Sequence, residues 1–313
     1  MIAAMWKHMI AGALALVASR AAASGPVQVG SGWNYADTFV GDWTGDGIPD
    51  LIGRTSGGDL LLYPFKDGRF TDTPVKAGGG FDFTHYFAAD WTGDGVPDLL
   101  VRNAAGDMLL YPFKDGRFAD TPVKAGTGWN FTHYFADDWN RDGTPDLLVR
   151  APNGDMLLYP FRNGAFGSPV KAGAHFDYAD YLPADWDGAP NMLVRTAGGD
   201  LLAYPFRGSA FTGAPVKAGS GWNFTHYFTA DWTGGKAPDL LVRNAAGDML
   251  LYPCRKGTFT GGPPRKVASG WHYTDYFAAG WTGGTRPDMI VRAPNGDLLL
   301  YRWDRGAQKW DEK

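Results

Sequence analysis

One string recurs six times along this chain, and that repetition limits the fold more than any other feature. Trp43, Trp91, Trp139, Trp186, Trp232 and Trp281 stand 48, 48, 47, 46 and 49 residues apart, each after an Asp except the last, which follows Gly280. Self-similarity at such a period means that each copy is one supersecondary unit, stable only beside its neighbours. Each copy holds four strand-like pieces. In the third they are Phe131–Trp139, Asp146–Arg150, Asp155–Phe161 and Phe166–Gly173, parted by the turn sequences RDGTP, APNG and RNG. Short runs joined by Gly-bearing turns read as an antiparallel meander. Four such strands in roughly 45 residues make a propeller blade. The reading is an all-β fold, a six-bladed β-propeller of four-stranded antiparallel blades. The last copy lacks the PVKAG piece, and GPVQVG at Gly25–Gly30 supplies it. The N-terminal strand is therefore expected to complete the last blade and close the ring. A five-bladed ring with one displaced copy fits less well, because all six copies are complete.

Composition matters at two points. Apolar residues are 44% of the chain, enough for a sizeable core. The net charge is −4 with both signs scattered, so the basic footprint of a nucleic-acid binder is missing. At the N-terminus, Lys7 and His8 precede the apolar run Met9–Ala18, and Ala21-Ala22-Ala23 follows. This reads as a secretory signal over 1–23, leaving 24–313 as a single propeller domain of a secreted protein. No other segment is long and apolar enough to span a bilayer. Cys254 stands where other copies carry Phe65, Phe113, Phe161 and Phe206. It reads as a small apolar filler, with a reactive thiol as the alternative.

Two further series recur in phase. Tyr63, Tyr111, Tyr159, Tyr204, Tyr252 and Tyr301 read as core. Arg54, Arg102, Arg150, Arg195, Arg243 and Arg292 each end the second strand. Such an Arg is a partner for an Asp of the next turn or blade, or else a ligand contact.

The Asp-rich turn offers oxygens at the first, third, fifth and ninth positions of a Gly-bearing loop. The first copy supplies Asp42, Asp46 and Asp50, the second Asp90, Asp94 and Asp98, the third Asp138, Asn140, Asp142 and Asp146. Calcium takes six to eight such oxygens, and Gly permits the sharp bend that converges them. The turn resembles that of the integrin-type FG-GAP (VCBS-like) propeller repeats, which implies Ca²⁺ in this loop. Calcium is thus a candidate in the first three repeats and not a requirement, because later copies lose the pattern: DWDGAPN is shortened, Gly235 replaces the central Asp, and Gly280 and Gly284 replace two. Asp and Gly also serve turn geometry alone.

A Gly-Trp-Asn segment follows the outermost strand of several copies. Trp33 and Asn34, Trp129 and Asn130, Trp222 and Asn223, and Trp271 and His272 form it, while the second and fourth copies have Phe81-Asp82 and Phe176-Asp177. Just beyond lie His85, His133 and His226, with Asp37, Asp180 and Asp275 at the matching positions. A ring beside Gly and an amide suits a pyranose, whose C–H face stacks while its hydroxyls are hydrogen-bonded. Trp33, Asn34, Trp129, Asn130, His133, Trp222, Asn223, His226, Trp271 and His272 are therefore the candidate carbohydrate contacts. The alternative is that the ring plugs the groove between blades and Asn caps the turn. GSGWNF followed by paired aromatics resembles the tachylectin-type propeller lectins. That resemblance implies N-acetylated hexosamines bound between blades. More distantly, the chain is similar to seven-bladed propeller lectins that bind fucose or N-acetylglucosamine.

No asymmetric catalytic constellation is visible: HExxH, GxSxG and Cys–His arrangements are missing. The expectation is a non-enzymatic, secreted, multivalent lectin for cell-surface or polymeric glycans. The rival is a protein-binding propeller that targets a secreted, toxin-like assembly.

Overall fold

The computed structural model describes residues 25–186, 190–235, 237–255, 257–259, 262–284 and 286–311. The signal read over 1–23 lies outside the described residues.

Regular structure among the described residues is entirely β, in six antiparallel blades, as the repeat predicts for a six-bladed β-propeller. Blade 1 runs Asp37–Gly41, Asp50–Arg54, Leu60–Tyr63 and Val75–Gly78. Blades 2 to 5 repeat it from His85, His133, Asp180 and His226. Blade 6 consists of Asp275–Ala279, Asp288–Arg292 and Leu298–Tyr301, and Val27–Gly30 supplies its fourth strand by pairing with Leu298–Leu300. The N-terminal strand thus completes the last blade. By compactness, Tyr35–Pro64 and Thr73–Gly221 form one unit holding blades 1 to 4. Blades 5 and 6, from Trp222 on, form a second unit with Phe65–Asp72.

Within a blade, sequence pattern decides burial. The second strand is apolar throughout and buried on both faces: Leu99, Leu100 and Val101 are fully buried, as are Leu147, Leu148 and Val149. The third strand alternates buried and half-buried residues, and the fourth is an exposed edge. Edges invite unwanted pairing, which charges suppress. Here Lys76, Lys124, Lys171, Lys217 and Lys266 reach across to Asp59, Asp107, Asp155, Asp200 and Asp248.

One expectation needs correcting. The third piece, Asp155–Phe161, is two elements. The strand ends at Tyr159, Pro160 removes a ladder donor, and Phe161–Arg162 pairs with Ala165–Phe166 in a separate two-residue hairpin. Asn163 and Gly164 at its tip have φ of 53° and 82°, the tight turn that suits strand twist.

Five of the six in-phase tryptophans, Trp43, Trp91, Trp139, Trp232 and Trp281, are core. Trp91 is 2% exposed and meets Phe161 and Phe166 of the next blade's hairpin edge-on, at 5.1 and 6.1 Å. Trp43 meets Phe113 and Phe118 in the same way. Trp186 is half-buried. Cys254 is half-buried too, and burial raises its thiol pKa, so it behaves as the apolar filler.

Candidate functional site

The ring-bearing segments at Trp33, Phe81, Trp129, Phe176 and Trp271 sit where one blade's loop meets the preceding blade's second turn. The turn glycine accepts the backbone N–H of the ring-bearing residue: Gly106 O from Trp129 N and Gly296 O from Trp33 N, at 2.9 and 2.8 Å. Gly106 has a φ of 85°, and a Cβ there would lie 3.1 Å from the Trp129 carbonyl oxygen, so only glycine fits. This clasp recurs at Gly58 with Phe81, Gly154 with Phe176 and Gly247 with Trp271.

The clasp draws the ring inward. Trp33, Trp129, Trp222 and Trp271 are 4%, 3%, 2% and 2% exposed. Trp129 lies between Tyr159 and Phe166, at 4.5 and 4.6 Å, and Trp271 between Tyr301 and Trp310, at 4.5 and 5.0 Å. The expectation of an indole open to a sugar ring is therefore corrected: each indole plugs its own blade, because paired aromatic edges and faces outbid solvent for its surface. The next residue does face solvent. Asn34, Asn130, Asn223 and His272 are all exposed, while His133 and His226 are half-buried.

The arginine at the end of the second strand makes one of two sets of contacts. In blades 1, 4 and 6 it pairs with the carboxylate of its own blade: Arg54 with Asp37 at 2.6 Å, Arg195 with Asp180, and Arg292 with Asp275. In blades 2, 3 and 5 that position is His85, His133 or His226, and the guanidinium turns to the next loop. Arg102 Nε donates to Trp129 O, Arg150 Nε to Phe176 O and Arg243 Nε to Trp271 O. Their Nη1 groups donate to Thr84, Thr132 and Thr225 Oγ1 at 2.9 to 3.0 Å. The histidine rings rest 4.8 Å from Tyr134, Tyr181 and Tyr276. Burial first, and the neighbouring arginine second, push their pKa values below the ordinary imidazole range.

A cavity of about 450 Å³ opens beside Trp33, bounded by Asn34, Thr274, Arg292, Pro294 and Asn295. Its polar groups are two amides, a hydroxyl and an arginine, of which Asn295 bonds Asp297, Thr274 Oγ1 donates to Arg292 O and Arg292 pairs with Asp275. That set suits a neutral, hydroxyl-rich ligand. Sequence reasoning found Trp33 and Asn34 but missed Thr274, Pro294 and Asn295, since APNG was read only as a turn. The signal was present in the arginine series, which ends each second strand beside that turn.

The Asp-rich loops use their oxygens internally. Asp90 accepts the N–H groups of Gly93, Asp94 and Gly95, and Asp42 and Asp138 do likewise in their loops. Asp46, Asp94 and Asp142 accept from residues two further on. Asn140 turns its side-chain amide to Asp146. Asp50, Asp98 and Asp146 are fully buried. Asp98 takes the N–H groups of Thr92 and Phe113, and Asp146 those of Asn140 and Phe161. Burial pushes the Asp98 and Asp146 carboxyls up to about 6 and about 7. In this arrangement the loop carboxylates are occupied by backbone donors, and no cluster of three metal-ligating side chains occurs among the described residues.

No helix among the described residues is long and apolar enough to cross a membrane. No curated protein matches the sequence. Among solved structures the chain is similar to the Agrocybe aegerita lectin that recognises non-reducing terminal N-acetylglucosamine, with a TM-score of 0.63 and 16% identity over 88% of this chain and 78% of that one. It is also similar to BBS1N, seen in complex with ARL6DN, with a TM-score of 0.54 and 12% identity over 89% and 94%. AofleA from Arthrobotrys oligospora gives 0.53 and 11% over 93% and 88%. At such identities the likeness is one of fold. By sequence, residues 42–101 and 90–149 match the FG-GAP-like repeat, and the propeller fold is one that the lectin shares.

Proposed function

We propose that this protein is a secreted, multivalent carbohydrate-binding propeller, a lectin whose sugar sites lie at the blade seams. The observation that carries the reading is the cavity beside Trp33, where Asn34, Thr274 and Asn295 converge on a space of about 450 Å³. That is the size and chemistry of a monosaccharide site: concave, with a few placed donors and acceptors. The indole acts from below, holding the loop in place, while the exposed amide meets the sugar. The lectin fold neighbour that recognises N-acetylglucosamine supports an N-acetylated sugar as ligand. Secretion rests on the signal-like residues 1–23. Repetition supports multivalency: a site near millimolar, roughly −4 kcal/mol, gains about 10²–10⁴ in avidity when several face a dense glycan. No catalytic role and no required cofactor are proposed.

The test is a titration with N-acetylglucosamine followed by nuclear magnetic resonance, alongside a glycan array. The wild type should bind at about millimolar, and the Asn34→Ala, Asn295→Ala double variant should lose that binding with an unchanged melting temperature. An array silent at high micromolar protein refutes the reading.

A protein-binding role, for instance as a targeting subunit of a secreted assembly, is favoured by one feature. Val75, Val123, Val170 and Val216 stand 44–51% exposed on the edge strands of blades 1 to 4. The BBS1N–ARL6DN complex is a propeller-fold neighbour with a protein partner. Pulldown from native culture fluid with a variant carrying Ser at the four valines separates the two readings.

A further inference from the structure

We propose that the seam between blades 2 and 3 takes an acidic sugar, with the Arg102 guanidinium receiving its carboxylate. This rests on the carbohydrate reading above and names the class of sugar for one seam.

The inference comes from the counter-charges of the repeated arginine. Arg54, Arg195 and Arg292 each meet a carboxylate of their own blade. Arg150 meets Asp177, the residue after Phe176 in the next loop, at 3.2 Å. Arg102 meets no carboxylate among the described residues. Its acceptors are Trp129 O, Thr84 Oγ1 and Asn103 O, at 2.5, 2.9 and 3.3 Å, all neutral. A guanidinium cannot shed its proton, so its charge stays when burial removes part of its water. A half-buried cation held by neutral acceptors through Nε and Nη1 gains from an anion that reaches its Nη2.

The molecule itself shows where that anion goes. At the next seam Asp177 reaches Arg150 Nη2 with its side chain 94% exposed, so a carboxylate approaches this guanidinium from the solvent side. In the Arg102 seam the same loop position is Asn130, which is exposed and neutral. A ligand carboxylate at the solvent mouth would take the Asp177 role, and the Asn130 amide would meet a neighbouring hydroxyl. Uronic and sialic acids both supply that combination. Arg243 also has no carboxylate partner among the described residues. It is only 9% exposed, and its outer nitrogen meets His272 Nδ1 at 3.0 Å, so the proposal is confined to Arg102.

The experiment titrates the full chain with methyl β-glucuronide, the methyl α-glycoside of N-acetylneuraminic acid, methyl β-glucoside and N-acetylglucosamine. Asn130→Asp is the diagnostic variant, since it copies the ring-then-Asp pair of the Phe176 loop and fills the guanidinium from within. The expected result is that at least one carboxylated probe binds roughly tenfold tighter than methyl β-glucoside, weakens severalfold between low and high salt, and loses that advantage in Asn130→Asp. Which of the two binds identifies the acid. Equal affinity for acidic and neutral probes, or an advantage that survives Asn130→Asp, overturns the proposal. N-acetylglucosamine binding at the Trp33 cavity is read in the same samples. If it persists while the acidic advantage is absent, this inference fails and the lectin reading stands. If the acidic probe behaves as expected while N-acetylglucosamine does not bind, the reading of the Trp33 cavity fails and this one stands.

Discussion

Blades 1, 4 and 6 differ from blades 2, 3 and 5 by a linked exchange. The first group carries Tyr35, Tyr178 and Tyr273 with Asp37, Asp180 and Asp275. The second carries Phe83, Phe131 and Phe224 with His85, His133 and His226. In the first group the tyrosine hydroxyls meet Tyr63, Tyr204 and Tyr301, and the carboxylate pairs with the arginine of its own blade, while Arg54 and Arg292 also donate Nη1 to Phe81 O and Trp33 O of the next loop. In the second no such hydroxyl pair can form, and arginine is passed to the following loop. The same backbone repeat thus pairs its arginine with an Asp of the same blade or, where His stands there, turns it to the next loop, which offers Asp177 to Arg150 and only neutral acceptors to Arg102. The difference teaches that duplication copied the scaffold while a few polar positions set each seam's charge.

The plug should be common to both groups, and removing it has the largest expected effect. Trp129→Ala, in a His-type seam, and Trp33→Ala, beside an Asp-type one, should each cost about 3–5 kcal/mol in urea unfolding, because both indoles are buried. A tryptophan that served only a ligand would leave the midpoint in place.

The exchange itself can be reversed. Asp275→Ala strands Arg292 and should cost about 1–2 kcal/mol, moderated by the pair's 20% and 32% exposure. Asp275→His with Tyr273→Phe rebuilds the His-type seam around Thr274, already present, and should recover most of that loss. If the double variant is no more stable than Asp275→Ala, the two groups are not interchangeable solutions.

The second-strand Asp should act alike in both groups. Asp98 and Asp146 have folded pKa values of about 6 and about 7, above the unfolded value near 4. Between those limits the folded state binds more protons, so this contribution is fully present below about pH 4 and is lost as pH rises through 6 to 7. The half-buried, lysine-paired Asp107, Asp155 and Asp248 are shifted down and act in the opposite sense, only at the acid end. Comparing wild type with Asp146→Asn isolates the term: the variant should lose about 1–2 kcal/mol of slope between pH 4 and 7, whatever its absolute stability. Parallel profiles would show that Asp146 titrates normally.

Smaller still is the effect at His175, which holds a φ of 62° where Gly32, Gly80, Gly128, Gly221 and Gly270 stand in the other loops. His175→Gly should raise stability by about 0.5–1 kcal/mol, since a side chain strains that conformation. Calcium addition or chelation should leave the melting temperature unchanged, because the loop carboxylates are held by backbone amides. A calcium-dependent rise would restore the metal reading of the first three repeats.

The period of the tryptophans was enough to derive blade number, strand count and the role of Gly25–Gly30 in the last blade, because a repeat that cannot bury its own face must stack on its copies. Strand limits were less legible, since Pro160 splits a run that reads as continuous. At the site, sequence singled out the loop but misjudged which of its residues meets solvent. A ring beside glycine looks the same in one dimension whether it faces out or in. Only packing decides, and here Tyr159 and Phe166, distant from Trp129 in the chain, close over the indole and leave Asn130 outside. The charge of each seam likewise needed three dimensions. The arginine, its carboxylate or histidine, and the next loop come from separate stretches, and their distances in the fold determine which arginine meets a carboxylate and which meets only neutral acceptors among the described residues.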